Sequence, residues 1–290
     1  SYSATAESSN VYERRSRWKN FKIAARKSPY TARFGFSVIA VYVFVAVFAP
    51  ILAPYGEAEV FPNPYEPWSS TFIFGTDQIG RDVFSRMIYG TRNTVGIAVL
   101  TTILSFLIGG ALGLAAAIDR RWLDQFLSRS VDVLMAIPSL IFALVLLSIF
   151  GSTILNLIII IAVLDATRVF RLTRSVAVNV VVMDYVEAAK LRGEGLGWVM
   201  RREILPNIMP PLIAEFGLRF CFVFLTIAAL SFLGVGIQPP TADWGSMVRE
   251  NANLLQFAQY DLRAGLTPLL PASAIALLTV AVNFVVDWFL

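Results

Sequence analysis

The sequence predicts an all-α fold: a polytopic membrane helix bundle of six transmembrane helices with a short helical projection on its cytoplasmic side. Three observations predict it: an excess of apolar residues, their grouping into long uninterrupted runs, and an uneven division of Lys and Arg among the loops. Hydrophobic residues make up 57% of the 290 and charged residues only 15%, against roughly 45–50% and about 25% in soluble domains. The mean hydropathy is +0.66. Lipid is therefore the expected solvent, and the length reads as one membrane domain rather than two globular ones.

A run of about 20 apolar residues spans the hydrocarbon. Six candidates fall at 34–53, 91–118, 127–150, 152–170, 208–233 and 267–288. An even number of spans places both termini on one side. Arg14, Arg15, Arg17, Lys19, Lys22, Arg26, Lys27 and Arg33 precede the first span, so that side is the cytoplasm by the positive-inside rule. The remaining loops agree. Arg120, Arg121 and Arg129 lie between spans two and three, and Arg168, Arg171, Arg174, Lys190, Arg192, Arg201 and Arg202 join spans four and five. The external segment 54–90 instead carries Glu57, Glu59, Glu66, Asp77 and Asp82 against Arg81 and Arg86, and 234–266 has only Arg249 and Arg263 as cations. The first span is expected to act as an uncleaved signal, since no apolar core precedes Phe34.

Residues 1–33 are read as a basic cytoplasmic segment and 34–290 as the transmembrane domain. Within 16–27, Trp18, Phe21 and Ala25 share one helical face among basic residues, the pattern of an interfacial helix on an anionic leaflet. A basic tail that only sets topology is the alternative. Pro50 and Pro54 end the first span, and Pro62, Pro64 and Pro67 keep the following chain extended, which suits a structured external cap. Gly109 and Gly113 form a small-xxx-small pair that lets helices approach closely.

The composition removes most catalytic chemistry. There is no His and a single Cys, Cys221, inside an apolar run, so the commonest general base, thiolate metal clusters and internal disulfides are all excluded. No Gly-rich Lys-Ser/Thr phosphate loop is present to bind ATP. An intramembrane enzyme would lack a nucleophile and a base.

The long cytoplasmic connection at 172–206 carries more than a turn needs. Asp184 to Arg192 reads as a short helix stopped by Gly193. Gly195 and Gly197 loosen the turn, and Trp198 to Leu205 reads as a second short helix stopped before Pro206. Ala188 and Ala189 leave little side-chain bulk, while Glu187, Lys190 and Arg192 can orient an approaching protein. The segment, about 183–206, is a docking knob.

The run Glu187-Ala188-Ala189, then Gly193, then Ile204-Leu205-Pro206 resembles the EAA signature of importer-type ABC permeases. Phe74-Gly75-Thr76-Asp77-Gln78-Ile79-Gly80-Arg81-Asp82 is similar to the external segment before span two in the C-type subunits of dipeptide and oligopeptide permeases. Ser231-Phe232-Leu233-Gly234-Val235-Gly236, with Asp243-Trp244-Gly245, resembles their segment after span five, and Met135-Ala136-Ile137-Pro138-Ser139 matches within span three. The resemblance covers the chain from about Ser28 onward. It departs at the end: Asn283 and Asp287 match an Asn-x-x-x-Asp element, but Val286 stands in place of the usual Gly.

The resemblance implies a type I ABC importer transmembrane domain in the bacterial inner membrane. It implies that Glu187, Ala188, Ala189, Lys190, Arg192, Gly193, Ile204, Leu205 and Pro206 form the coupling segment on an ATPase. The partners it implies are a B-type permease subunit, one or two ATPase subunits, an extracytoplasmic solute-binding protein and membrane lipid; no nucleic acid is expected. No cofactor is expected on this chain, since ATP and Mg are used by the ATPase. Substrates of such systems include peptides, nickel chelates, glutathione and opines, and peptide is the leading expectation.

Two charge groups stay open. Asp77, Arg81, Asp82 and Arg86 can pair among themselves and stiffen an external loop, or they can touch substrate or a binding protein. Glu215 and Arg219, four apart, can neutralise one another on one face of span five that lines the pathway or meets the second permease. Asp165 is expected to pair locally with Arg168. Trp244 is expected at the membrane interface. A secondary transporter or channel is the alternative class, and it predicts charges deep in the spans and helices broken at mid-membrane. A scaffold or receptor would leave the knob without a purpose.

Overall fold

The computed structural model describes residues 28–119 and 121–290. The basic run at 14–27, with its expected interfacial helix, and Arg120 lie outside the described residues.

The described residues form helices and loops. α1 (Tyr30–Val47) leads into a single turn at Ala49–Leu52. A looped cap follows, and α2 (Val83–Ile118) then runs unbroken through a π turn at Thr91–Val95. Next come α3 (Trp122–Ala136), α4 (Ser139–Phe150), α5 (Ile154–Val181) and α6 (Asp184–Leu191). α7 (Leu196–Phe232) includes a π turn at Met200–Ile204. α8 (Trp244–Asn251) lies in the second external segment, and α9 (Leu269–Phe289) closes the bundle.

Six spans are expected from the sequence, and the helices meet that in part. Four stretches are long and apolar enough to cross a membrane: Tyr30–Val47, Val83–Ile118, Leu196–Phe232 and Leu262–Phe289. α3 and α4 count as a fifth only as a pair bent by 90°. The bend falls at Ile137-Pro138, where proline has no N–H to donate and pushes the preceding residue out of helical conformation; Ile137 sits at φ −93°, ψ 132°. The expected third span is thus an amphipathic helix followed by a short apolar one. α5 supplies the sixth segment but carries Asp165, Arg168, Arg171 and Arg174 along its length.

The second boundary difference is at the cytoplasmic side. The expected excursion at 172–206 shrinks, because α5 continues to Val181 and α7 starts at Leu196. Ala177 and its neighbours Val176 and Val180 keep α5 packed against Leu114 and Ala117 of α2, so the helix does not end where the apolar run does.

α2 and α5 are held closely by the small-residue pair. A Cβ placed on Gly109 would lie 2.5 Å from the Ala166 carbonyl oxygen, and one on Gly113 would lie 2.8 Å from Thr173 Cβ. Salt bridges fix α3 on α5: Arg174 with Asp124, and Arg171 with Asp132. α1 pairs with α9 through Phe34–Phe284 and Phe36–Trp288 edge contacts and the Tyr42 hydroxyl donating to the Ala274 carbonyl, 2.8 Å. The main core gathers Leu147, Leu157, Phe224, Ile227, Leu230, Trp244 and Met247.

Candidate functional site

The docking knob has the geometry that its glycine predicts. α6 ends at Arg192, and Gly193 follows at φ +81°. Its N–H donates to the Lys190 carbonyl (3.0 Å) and the Glu194 N–H to the Ala189 carbonyl (3.2 Å). These are the two bonds of a Schellman stop, which needs a residue free to adopt positive φ. The second short helix does not stop before Pro206. It is the start of α7, and the wider π turn at Met200–Ile204 carries the chain into Pro206, whose missing N–H falls within the first turn after it.

The two faces of the knob are distinct. Val186, Ala189, Val199, Ile204 and Ile208 are fully buried and pack on Leu114, Ala117, Ala177 and Leu212. Glu187, Lys190, Arg192 and Pro206 are exposed, and Ala188 and Leu205 are half-buried. Ala189 and Ile204, expected within the coupling segment, thus lie on the inner face of the knob. Helical spacing turns Ala189 away from the face of α6 that carries Glu187, and Ile204, on α7, packs into the same cluster with Leu114 and Ala177. The sequence reading also passed over Leu191, 82% exposed, and Leu196, 60% exposed, which flank the Gly turn. An apolar residue on each side of a glycine stop is the signal that could have found them.

At the other end, the acidic and basic residues of the external loop are buried rather than displayed. Asp77, Arg81, Asp82 and Arg86 are each no more than 3% exposed. Arg81 Nε meets Asp77 at 2.7 Å, and Arg81 Nη2 meets Glu250 of α8 at 2.9 Å. Arg86 lies 3.7 Å from Asp77 and 3.8 Å from Glu250, and donates to the Glu57 carbonyl at 2.7 Å. Asp82 instead caps α2, accepting from the Ser85 N–H (2.9 Å) and hydroxyl (2.6 Å). This burial and pairing fit the structural one of the two open readings, with Glu250 as the partner the sequence did not single out. Its position 169 residues from Arg81 left no local signal.

The same cap absorbs Asp243 and Trp244. Asp243 accepts from the Thr94 hydroxyl and the Ser246 N–H, both at 2.9 Å. Burial pushes its carboxyl pKa above the usual range against those hydrogen bonds. Trp244 is 1% exposed and donates to the Met87 carbonyl at 3.0 Å, so it is a core residue and not an interfacial one. Gly90 of α2, where a Cβ would lie 2.7 Å from the indole Cδ1, leaves room for the buried ring whose N–H Met87 satisfies.

Within the bundle, Arg219 bridges two carboxylates: Glu215 Oε1 at 3.0 Å on its own helix and Asp165 Oδ1 at 3.4 Å on α5. Asp165 Oδ2 accepts from the Ser105 hydroxyl of α2 at 2.8 Å. Asp165 therefore does not form the expected local pair with Arg168. Both oxygens of the carboxylate are taken at the α2–α5–α7 contact, by Arg219 and Ser105, and Arg168, a turn along on the same side of α5, makes no ion pair with it. Asp165 and Arg219 are buried at 6% and 8% exposure, whereas Arg168 is exposed. No metal-binding cluster of His, Cys, Asp or Glu occurs among the described residues.

Two features expected only of a secondary transporter are thus present: charges deep in the spans and a helix broken within one. They do not separate the transporter classes here. The helical bundle carries a projecting knob at one end and a buried polar cap at the other. The chain belongs to the family of binding-protein-dependent transport system inner membrane components, whose model matches residues 109–290. It is 38% identical over 260 residues to the dipeptide transport system permease protein DppC of Escherichia coli (strain K12), covering 87% of this chain and 85% of that one. It is 36% identical over 252 residues to the di/tripeptide transport system permease protein DppC of Pseudomonas aeruginosa, covering 84% and 83%. The crystal structure of an amino acid ABC transporter with histidines matches with a TM-score of 0.51 at 19% identity, over 71% of this chain and 93% of that one. That likeness is one of fold. The chain is a membrane permease subunit of an ABC importer.

Proposed function

We propose that this chain forms half of an inner-membrane pathway for peptides and converts the motion of a cytoplasmic ATPase into opening of that pathway. The carrying observation is the outward face of α6, with Glu187, Lys190, Arg192 and Leu191 exposed beside a glycine-stopped turn. That knob is continuous through α7 with Arg219, so a displacement of one end is transmitted to the other. The peptide assignment is supported by relatives named as dipeptide and di/tripeptide permeases over more than four-fifths of the chain.

The pathway would be completed by a second, B-type permease subunit. One or two ATPase subunits would supply energy from ATP and Mg on the cytoplasmic side, where both termini of this chain lie, and a solute-binding protein would deliver substrate outside. The buried residues Val186, Ala189 and Ile204 hold the knob rigid, and the exposed residues engage the ATPase.

The test uses the complete complex in proteoliposomes with a radiolabelled dipeptide. Gly193→Val forces a β-branched residue to φ +81°, at a cost of about 1–2 kcal/mol, or on the order of tenfold. Uptake should fall by at least that factor while ATP hydrolysis continues. Gly195→Ala, at φ −67° with open space around it, should transport normally. Wild-type uptake by the Gly193 variant would sink the coupling role. A wild-type complex that carries a nickel chelate or an opine but no dipeptide would replace the substrate.

A further inference from the structure

Three broken or charged elements meet at one depth in the bundle. α4 is an apolar helix of only 12 residues, about 18 Å long, and it begins at the Pro138 break. Asp165 and Arg168 lie about 18 and 22 Å from Thr153, the N-cap of α5, by the same rise per residue. Between α4, α5 and α7 a cavity of about 260 Å³ is lined by Ser139, Asp165, Arg168, Phe222, Val223 and Thr226.

The polar groups around this cavity are unequally satisfied. Asp165 has both oxygens engaged, by Arg219 and by Ser105. Thr226 donates its hydroxyl proton to the Phe222 carbonyl at 2.7 Å. Arg168 is exposed and takes part in none of the salt bridges recorded among the described residues. A guanidinium at mid-span is too costly to face lipid, so this side of the chain meets water or protein. Pro138 precedes α4 with no side-chain cap, so the first N–H groups of α4, beginning at Ser139, lack intrahelical acceptors. An interrupted helix that starts at mid-membrane directs its positive end at an anionic substrate group.

We propose that this cavity is a carboxylate-binding station for the substrate within the membrane, with Arg168 as the recognising group and the start of α4 as its second donor. It rests on the reading of the chain as half of a pathway. The volume is just below the ~300–1,000 Å³ of sites that enclose a whole small ligand, so the station holds one end of a peptide rather than all of it. The Asp165–Arg219–Glu215 array behind it occupies Arg219, which leaves Arg168 as the cation lining the cavity that is in no ion pair among the described residues.

The test measures uptake of radiolabelled alanyl-alanine at saturating binding protein in proteoliposomes of the complete complex, with thermal midpoint and ATP hydrolysis measured alongside. Arg168→Gln should lower uptake at least tenfold with an unchanged midpoint, and Arg168→Lys should keep uptake within a few-fold of wild type. Uptake by Arg168→Gln within twofold of wild type would overturn the station. Equal loss in both variants with a lowered midpoint would also overturn it, by making Arg168 a structural residue. If the wild-type complex carries a different carboxylate-bearing solute with the same Arg168 dependence, the peptide reading fails and the station stands.

Discussion

Glu250 receives a guanidinium at 2.9 Å and faces a second at 3.8 Å, all at no more than 4% side-chain exposure. Removing one member of a buried ionic group leaves the others uncompensated and costs about 3–5 kcal/mol. Glu250→Ala should therefore lower the thermal midpoint of the purified protein far more than Glu187→Ala on the exposed face of the knob would. An unchanged midpoint would mean that water enters the cap and solvates the two arginines. The helix-spaced charges Asp77 and Arg81 were legible as a pair from their four-residue interval. Glu250 was not, since nothing in a linear reading ties it to a loop before α2. Trp244 was misplaced for the same reason: an aromatic near a span end has the same local sequence whether it meets lipid headgroups or a pocket in the cap.

At the scale of elements, the α2–α5 contact depends on two glycines in consecutive turns of α2. Gly109→Leu would drive carbons into the Ala166 carbonyl and Val169, already within 2.7 Å of where a Cβ would sit. Overpacking of this kind costs about 1–3 kcal/mol. Gly110 lies beside it with nothing within 4 Å, so Gly110→Ala should leave the midpoint unchanged. Comparable losses in both would mean that the close approach at Gly109 does not set the effect, since Ala and Leu are both better helix formers than Gly. The small-xxx-small spacing made this contact readable, whereas the break at Pro138 was hidden because it lies inside the apolar run 133–150. Apolar runs report solvent, and a proline's effect on direction depends on what can pack against each half. α5 shows the converse: its charges lower its apparent fitness as a span, yet Asp165 is neutralised by residues on two other helices.

At the scale of the molecule, orientation follows from the distribution of charge, and it has a direct measurement. Cys221 is the single cysteine in the sequence and is buried, so a Cys221→Ser background is suited to labelling. Leu191 on the knob and Tyr260 beyond α8 are each 82% exposed. In sealed right-side-out vesicles, Tyr260→Cys should react with an impermeant maleimide and Leu191→Cys only after permeabilisation. The opposite pattern would invert the topology. Hydropathy, the charge asymmetry of the loops and the Glu187-to-Pro206 segment by themselves determined that this is a helical membrane protein of the importer-permease family. Those properties are written in composition and short-range spacing, which the bilayer and the helix read locally. Only the tertiary structure decided which face of the knob is free, that the external charges are buried, and that Asp165 joins Arg219 and not Arg168. Each of these is a pairing between residues distant in the chain, and its energy exists only once packing has brought them together and excluded water.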